Sequence, residues 1–198
     1  MNTKQKMRFA GLLLAAFSFS GTLAAQQLTE AQRQFQETIT QQCIQTSQRL
    51  GSPPDQAQGY CQCAFSGVAA QIPDAQLPEV ERCSFAGKTA SSFCQKLLMT
   101  MEKQALTCVD GNEVVKTNFR TAGKTACATS AGLGGQVPKD KLDAYCGCSM
   151  DYVAQGMTAQ EIVEADFALR QGKTSAASRK MQTLSEKAVA QCQALLTK

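Results

Sequence analysis

Tyr60-Cys61-Gln62-Cys63 and Tyr145-Cys146-Gly147-Cys148 are the stretches whose reading decides how this chain folds. Each sits inside the same cysteine pattern: Cys43 before and Cys108 after the first, Cys127 before and Cys192 after the second. The leading cysteines are 84 residues apart and so are the trailing ones, while the CxC pairs are 85 apart. One residue inserted ahead of the second CxC is thus offset by one deletion behind it. In the same register Phe35 meets Phe119, Gly51 meets Gly135, Pro54 meets Pro138, and Glu102-Lys103 meets Glu186-Lys187. The pattern reads as a tandem duplication of one four-cysteine unit. It divides the chain into a first repeat, 26–111, and a second, 112–198, joined at Asp110-Gly111-Asn112 behind a leader of residues 1–25.

The leader has the form of an export signal. Lys4, Lys6 and Arg8 make a basic start, Phe9 to Phe19 is a mostly apolar run of 11 residues, and Thr22-Leu23-Ala24-Ala25 offers small residues for cleavage near Ala25. Spanning a bilayer takes roughly 20 apolar residues, so the run reads as a cleaved signal and no stable membrane insertion is expected after its removal. All ten cysteines lie beyond it. An even count in an exported chain implies an oxidising compartment, periplasmic or secreted, and a framework of five bridges.

Charge excludes one class of partner. The 198 residues carry 20 basic and 16 acidic side chains, but three of the basic ones belong to the leader, which leaves a net charge of +1. No Lys/Arg run forms a phosphate-binding stripe, so no nucleic-acid partner is expected. The first repeat carries a net −2 and the second +3, a mild complementarity that favours docking of one on the other.

Apolar spacing is helical nearly throughout, which predicts an all-α fold of about four helices per repeat. In the first repeat, Phe35, Ile39, Cys43 and Leu50 share a face of a helix from about Thr29 to Leu50, with Thr29 and Gln32 as a capping box and Gly51 as its stop. Cys61, Phe65, Val68 and Ile72 predict a second helix ending at Pro73-Asp74. A short third helix begins near Pro78, and a fourth carries Cys94, Leu97, Met101, Ala105 and Cys108. The second repeat follows suit. Its first helix holds Phe119 and Cys127 and ends at Gly132 to Gly135; its second holds Cys146, Met150, Val153 and Met157. Thr158 and Glu161 cap a third with Ile162, Ala165 and Leu169 on one face, and Ala177, Met181, Leu184, Ala188, Cys192 and Leu195 stripe the last.

Cysteines two apart on a helix point about 200° away from each other, so a CxC pair serves two neighbouring helices better than itself. Within the repeats this favours Cys43–Cys61 with Cys63–Cys108, and Cys127–Cys146 with Cys148–Cys192. The crossed version, Cys43–Cys63 with Cys61–Cys108, stays open. Cys83 and Cys94 align with Phe167 and Ser178, so the second repeat lacks both together, as expected of partners.

Two chemical readings compete with a purely structural one. Cys146-Gly147-Cys148 has the form of a small dithiol oxidant or isomerase, which needs an exposed cysteine of lowered pKa beside a cation or a helix N-terminus. Here the motif lies in a helical stripe, and the chain has no CxxC. Alternatively, thiolates with Met99, Met101, Met150, Met157 or Met181 suit Cu(I). Oxidised cysteines cannot ligate in that way, and methionines on helical stripes usually fill core gaps, so no cofactor is expected. The chain has no histidine, which removes Ser-His-Asp and Cys-His machinery. Asp140, Asp143, Asp151, Glu161, Glu164 and Asp166 read as solvated helix faces and caps, with no pair singled out for acid–base work. Gly132-Leu133-Gly134-Gly135 reads as a turn, since no phosphate-loop lysine follows it.

A helix with one cysteine followed by a Tyr-Cys-x-Cys helix resembles small exported bacterial proteins of unknown function. The resemblance covers Cys43–Val68 and Cys127–Val153 and implies a disulfide-bonded helical domain; it brings no catalytic residues. Tyr60 and Tyr145 are expected to pack against the bridges. The function that fits is an adaptor, inhibitor, immunity or envelope-assembly protein that binds another exported protein. The intact mass of the mature chain is expected to start at Gln26 and to rise by about ten hydrogens on reduction, two per bridge. A mass that retains residues 1–25, or a rise below about eight hydrogens, contradicts this reading.

Overall fold

Thr29 opens the first helix, α1 (Glu30–Arg49), by a reciprocal cap. Its Oγ1 accepts from the Gln32 backbone N–H at 3.1 Å, while Gln32 Oε1 accepts from the Thr29 N–H at 3.0 Å. The same side chains tie the helix start to a distant loop: Gln32 Nε2 donates to the Ile72 carbonyl at 2.9 Å, and Thr29 Oγ1 to Asp74 Oδ1 at 2.7 Å. At the other end Gly51 takes φ +91°, which lets the N–H groups of Gly51 and Ser52 turn back onto the Gln48 and Ser47 carbonyls at 3.0 Å.

The computed structural model describes residues 28–80, 83, 91–109, 113–132 and 137–197. The leader, the joint Asp110-Gly111-Asn112 and residues 133–136 of the glycine-rich turn lie outside the described residues. After α1 come α2 (Pro54–Phe65), two 3₁₀ turns at Ala69–Gln71 and Asp74–Gln76, α3 (Leu77–Val80) and α4 (Ser92–Leu106). Then follow α5 (Glu113–Gly132), α6 (Lys139–Gly156), α7 (Ala159–Arg170), α8 (Ala176–Cys192) and α9 (Ala194–Thr197). The fold is all-α, with no strand among the described residues.

Three elements differ from their sequence expectation. The second helix stops at Phe65 instead of running to Ile72, because Gly67 adopts φ +76° and turns the chain out of the helix. Val68 and Ile72 remain buried beyond the break. In the other half Tyr152, which lies 85 positions after Gly67, continues the helix, so α6 runs unbroken to Gly156. Secondly, Pro53 and not Pro54 occupies the cap position that Pro138 takes, with φ,ψ of −56°, 142° against −54°, 141°. The two proline caps are therefore 85 residues apart, the same spacing as the CxC pairs. Thirdly, Leu169 is 60% exposed, and the buried face of α7 consists of Ile162, Val163, Ala165 and Ala168.

Each CxC divides between two helices. Cys61 bonds to Cys43 on α1 and Cys63 to Cys108 just past α4; Cys146 bonds to Cys127 on α5 and Cys148 to Cys192 at the end of α8. Cys83 bonds to Cys94, with a Cα separation of 5.4 Å against 5.7–5.9 Å for the other four bridges. Of the two pairing schemes the structure takes the uncrossed one, and no cysteine is free.

The main core draws on both halves. Ala64, Ala105 and Val109 pack with Val153, Met157, Ile162, Ala165 and Ala188, while Val68, Ile72 and Leu97 form a smaller cluster within the first half. The α6–α8 contact is close enough that a Cβ on Gly156 would lie 2.7 Å from both Leu184 Cδ atoms.

The seam between the halves runs where α7 packs on α4 and where α2 meets α5. Its polar centre is Asn118 on α5. The Asn118 Nδ2 donates to Ser47 Oγ at 2.9 Å, and Asn118 Oδ1 accepts from Ser52 Oγ at 3.0 Å. Ser47 and Ser52 are buried, at 2% and 5% exposure; the Ser52 hydroxyl relies on that amide, while Ser47 Oγ also lies 3.9 Å from Cys61 Sγ, a weaker partner. Gln171 Nε2 adds a bond to Glu102 Oε2 at 3.2 Å. The ion pairs Arg33–Glu30, Arg120–Glu113, Lys139–Asp143, Arg170–Asp166 and Lys180–Glu161 each stay within one half. Among the described residues the seam is therefore apolar packing closed by hydrogen bonds, and the opposite net charges of the halves do not carry it. Asn118→Leu deprives two buried hydroxyls of their amide partner and is expected to cost about 1–3 kcal/mol in urea unfolding. Replacing Asn118, Ser47 and Ser52 together by Leu, Ala and Ala should recover part of that loss; a single variant as stable as wild type contradicts the assignment.

Candidate functional site

Where α1 ends, where α2 carries Tyr60, and where α5, α7 and α8 converge, the seam opens into a groove of about 380 Å³. Its walls are mainly apolar. Val115 and Phe119 come from α5, Ile162 and Phe167 from α7, Met181 from α8, and Leu50 closes the α1 side. Helical geometry explains this collection: Val115, Phe119 and Ala122 recur at spacings of four and three, which places them on one stripe of α5. The exposed Leu169 stands at the groove as well. The Asn118 amide borders it, already committed to the two serines.

Three groups give the groove its polarity. Asp166 and Arg170 lie one turn apart on α7, and Arg170 Nε donates to Asp166 Oδ2 at 2.7 Å. Tyr60 packs on the main core and lines the groove beside them, rather than serving only to cover a bridge. Burial, with a smaller contribution from the negative charge of Asp166, pushes its phenol above the ordinary value of 10.0. The phenol therefore stays protonated at neutral pH and is available as a donor.

The residues singled out from the sequence fall elsewhere. Cys146 and Cys148 diverge to different helices, so the CGC segment closes no ring on itself. Lys124 runs alongside it, its Nζ 4.0 Å from where a Cβ on Gly147 would stand. The methionines scatter: Met157 is buried in the main core, Met101 packs on the smaller cluster, Met181 lines the groove, and Met99 is 57% exposed. Met150 fills the notch that Gly123 leaves on α5, where any Cβ would collide with its thioether end. Among the described residues no group of three or more His, Cys, Asp or Glu side chains is placed to hold a metal ion.

The carboxylates are engaged locally. Glu161 closes the α7 capping box with Thr158 and accepts from Lys180 Nζ at 2.8 Å. The Lys180 hydrogen bond, followed by the Thr158 backbone N–H, holds its carboxyl below the ordinary range. Asp143 pairs with Lys139 and Glu164 accepts from Gln160. Asp166 alone combines a charge partner with a place in the groove, a position that periodicity read as solvent-facing. The signal available beforehand was a polar i,i+4 pair, Asp166 and Arg170, interleaved with Phe167 and Leu169.

The arrangement can bind and orient; it offers no nucleophile paired with a base. No protein-family model, curated protein or solved structure matches the chain.

The raised Tyr60 phenol has a pH consequence of definite sign. A folded-state value above the unfolded one means that its contribution to stability is present below pH 10.0 and is lost as pH rises through the folded value. Stability should therefore fall in alkali, and Tyr60→Phe should flatten the fall. Difference absorbance of the phenolate should show Asp166→Asn moving the Tyr60 transition part of the way back. A Tyr60 transition at or below the ordinary phenol value contradicts the assignment.

Proposed function

We propose that this chain is an exported, disulfide-stabilised helical protein that acts by binding, as an adaptor or inhibitor of another exported protein in a bacterial periplasm or outside the cell. Residues 1–25 serve as its cleaved signal, and the two halves descend from duplication of one unit that resembles the exported Tyr-Cys-x-Cys proteins. The observation that carries the reading is that all ten cysteines are closed into five bridges, with no thiol left for chemistry. Support also comes from the seam groove, which offers an apolar surface with a few polar groups. Among the described residues no helix is long and apolar enough to cross a membrane.

Thiol–disulfide exchange is the second reading, and one observation favours it. Lys124 lies beside Gly147, where a cation would lower the pKa of a Cys148 thiol once its bridge to Cys192 opened. Against it, Cys146 and Cys192 are fully buried, and attack on a bridge needs an accessible sulfur.

Alkylation of the native protein separates the two. A binding scaffold leaves Cys146 and Cys148 unmodified, neither reduces insulin nor reactivates scrambled ribonuclease, and yields a discrete exported protein on crosslinking in the exported fraction. Rapid trapping of Cys148 under mildly acidic conditions, where an ordinary thiol with pKa near 8.5 stays protonated, reverses the ranking. Loss of isomerase activity in Cys148→Ser would seal that reversal.

A further inference from the structure

We propose that the seam groove binds a small uncharged amphiphile, its apolar body held among Phe119, Phe167 and Met181 and its hydroxyl or amide head hydrogen-bonded to Tyr60. This goes beyond the partner reading, because the groove would be filled whether or not another exported protein docks on the outer helix faces.

Size comes first. The volume of about 380 Å³ lies within the roughly 300–1,000 Å³ of small-molecule sites, and the lining is aromatic and aliphatic with few polar groups, as in such sites. Charge then selects the ligand. Asp166 and Arg170 cancel each other at 2.7 Å on one wall. An anionic head would enter beside the Asp166 carboxylate, and a cationic one beside the Arg170 guanidinium. Either would meet a partner that is already paired and, at 47% and 51% side-chain exposure, screened by water, so the pair offers an ionic head little net attraction. A neutral head gives up no such attraction. It also finds a partner, since the Tyr60 hydroxyl makes no hydrogen bond to any described residue, while Asn118 is committed to Ser47 and Ser52.

The walls come from both halves, with Leu50 and Tyr60 on one side of the seam and α5, α7 and α8 on the other. A ligand bound there contacts the assembled seam and not the unfolded chain, so occupancy raises unfolding stability by mass action.

The test uses the mature full-length protein and the neutral fluorophore N-phenylnaphthylamine. The expected result is saturable fluorescence enhancement with one site per chain. Decanol should displace the probe at concentrations about ten-fold lower than decanoate or decylammonium, which share its tail. Tyr60→Phe should weaken decanol by roughly two- to ten-fold, the worth of one neutral hydrogen bond, and leave the probe almost unchanged. Ala122→Trp and Leu169→Trp add bulk from exposed positions that line the groove, and both should abolish probe binding without loss of helical signal. Probe binding that is absent, that survives both tryptophan variants, or that yields best to decanoate or decylammonium overturns the proposal. So does an apolar helical peptide that displaces the probe at lower concentration than decanol, which would make the groove a protein-docking surface.

Discussion

Two side chains separated by one residue on a helix leave it in directions about 200° apart, and this angle organises the whole molecule. It forces each CxC to look two ways. Cys61 and Cys146 are fully buried and hold the preceding helix, while Cys63 and Cys148 sit half-buried and hold the last long helix of their half. Closing loops of this order stabilises by roughly 3 kcal/mol each in the chain-entropy description. That contribution makes sense of the core's composition. Ala57, Ala64, Ala69, Ala105, Ala154, Ala165, Ala177 and Ala188 are all buried, and alanine contributes little apolar area compared with leucine or phenylalanine. Covalent staples let helices approach closely over small side chains.

Within that frame the halves differ mainly through one backbone choice. The left-handed Gly67 shortens α2 to 12 residues, against 18 in α6. The chain beyond it folds back so that Val68 and Ile72 pack with Leu97 and Phe35, giving the first half a small core of its own. The second half has no such cluster among the described residues and relies on the main core, to which the first half lends Ala64, Ala105 and Val109. Additional bracing comes from Cys83–Cys94, the pair that the second half lacks.

What the sequence made legible was local. Thr29 with Gln32 and Thr158 with Glu161 announce helix starts because a short acceptor side chain and a reciprocal partner three residues on satisfy N–H groups that nothing else can reach. Ser91 and Ser175, 84 residues apart, cap α4 and α8 although the apolar pattern singled out neither; Ser175 does so reciprocally with Ser178, whereas Ser91 only accepts from the Cys94 N–H. Periodicity could not see Gly67, because an apolar stripe at helical spacing continues through it, and only the backbone conformation reveals the break. It placed Leu169 inside for a related reason. The residue does share an azimuth with Ile162, but the helix facing it there has given way to the groove. The groove itself depends on which surfaces of two halves meet, and no local pattern encodes that.

The bridges join Cys43 to Cys61, Cys63 to Cys108, Cys83 to Cys94, Cys127 to Cys146 and Cys148 to Cys192, and none passes from one half to the other. Each half is thus sealed like a closed box, while the two boxes share only the backbone link and a non-covalent wall. Within a box, a fluctuation is pulled back by sulfur; between boxes, it is resisted only by packing and the Asn118 amide. A cut in the link would leave two pieces that between them retain every crosslink. The seam is thereby the one boundary that no sulfur crosses, and the groove lies along it.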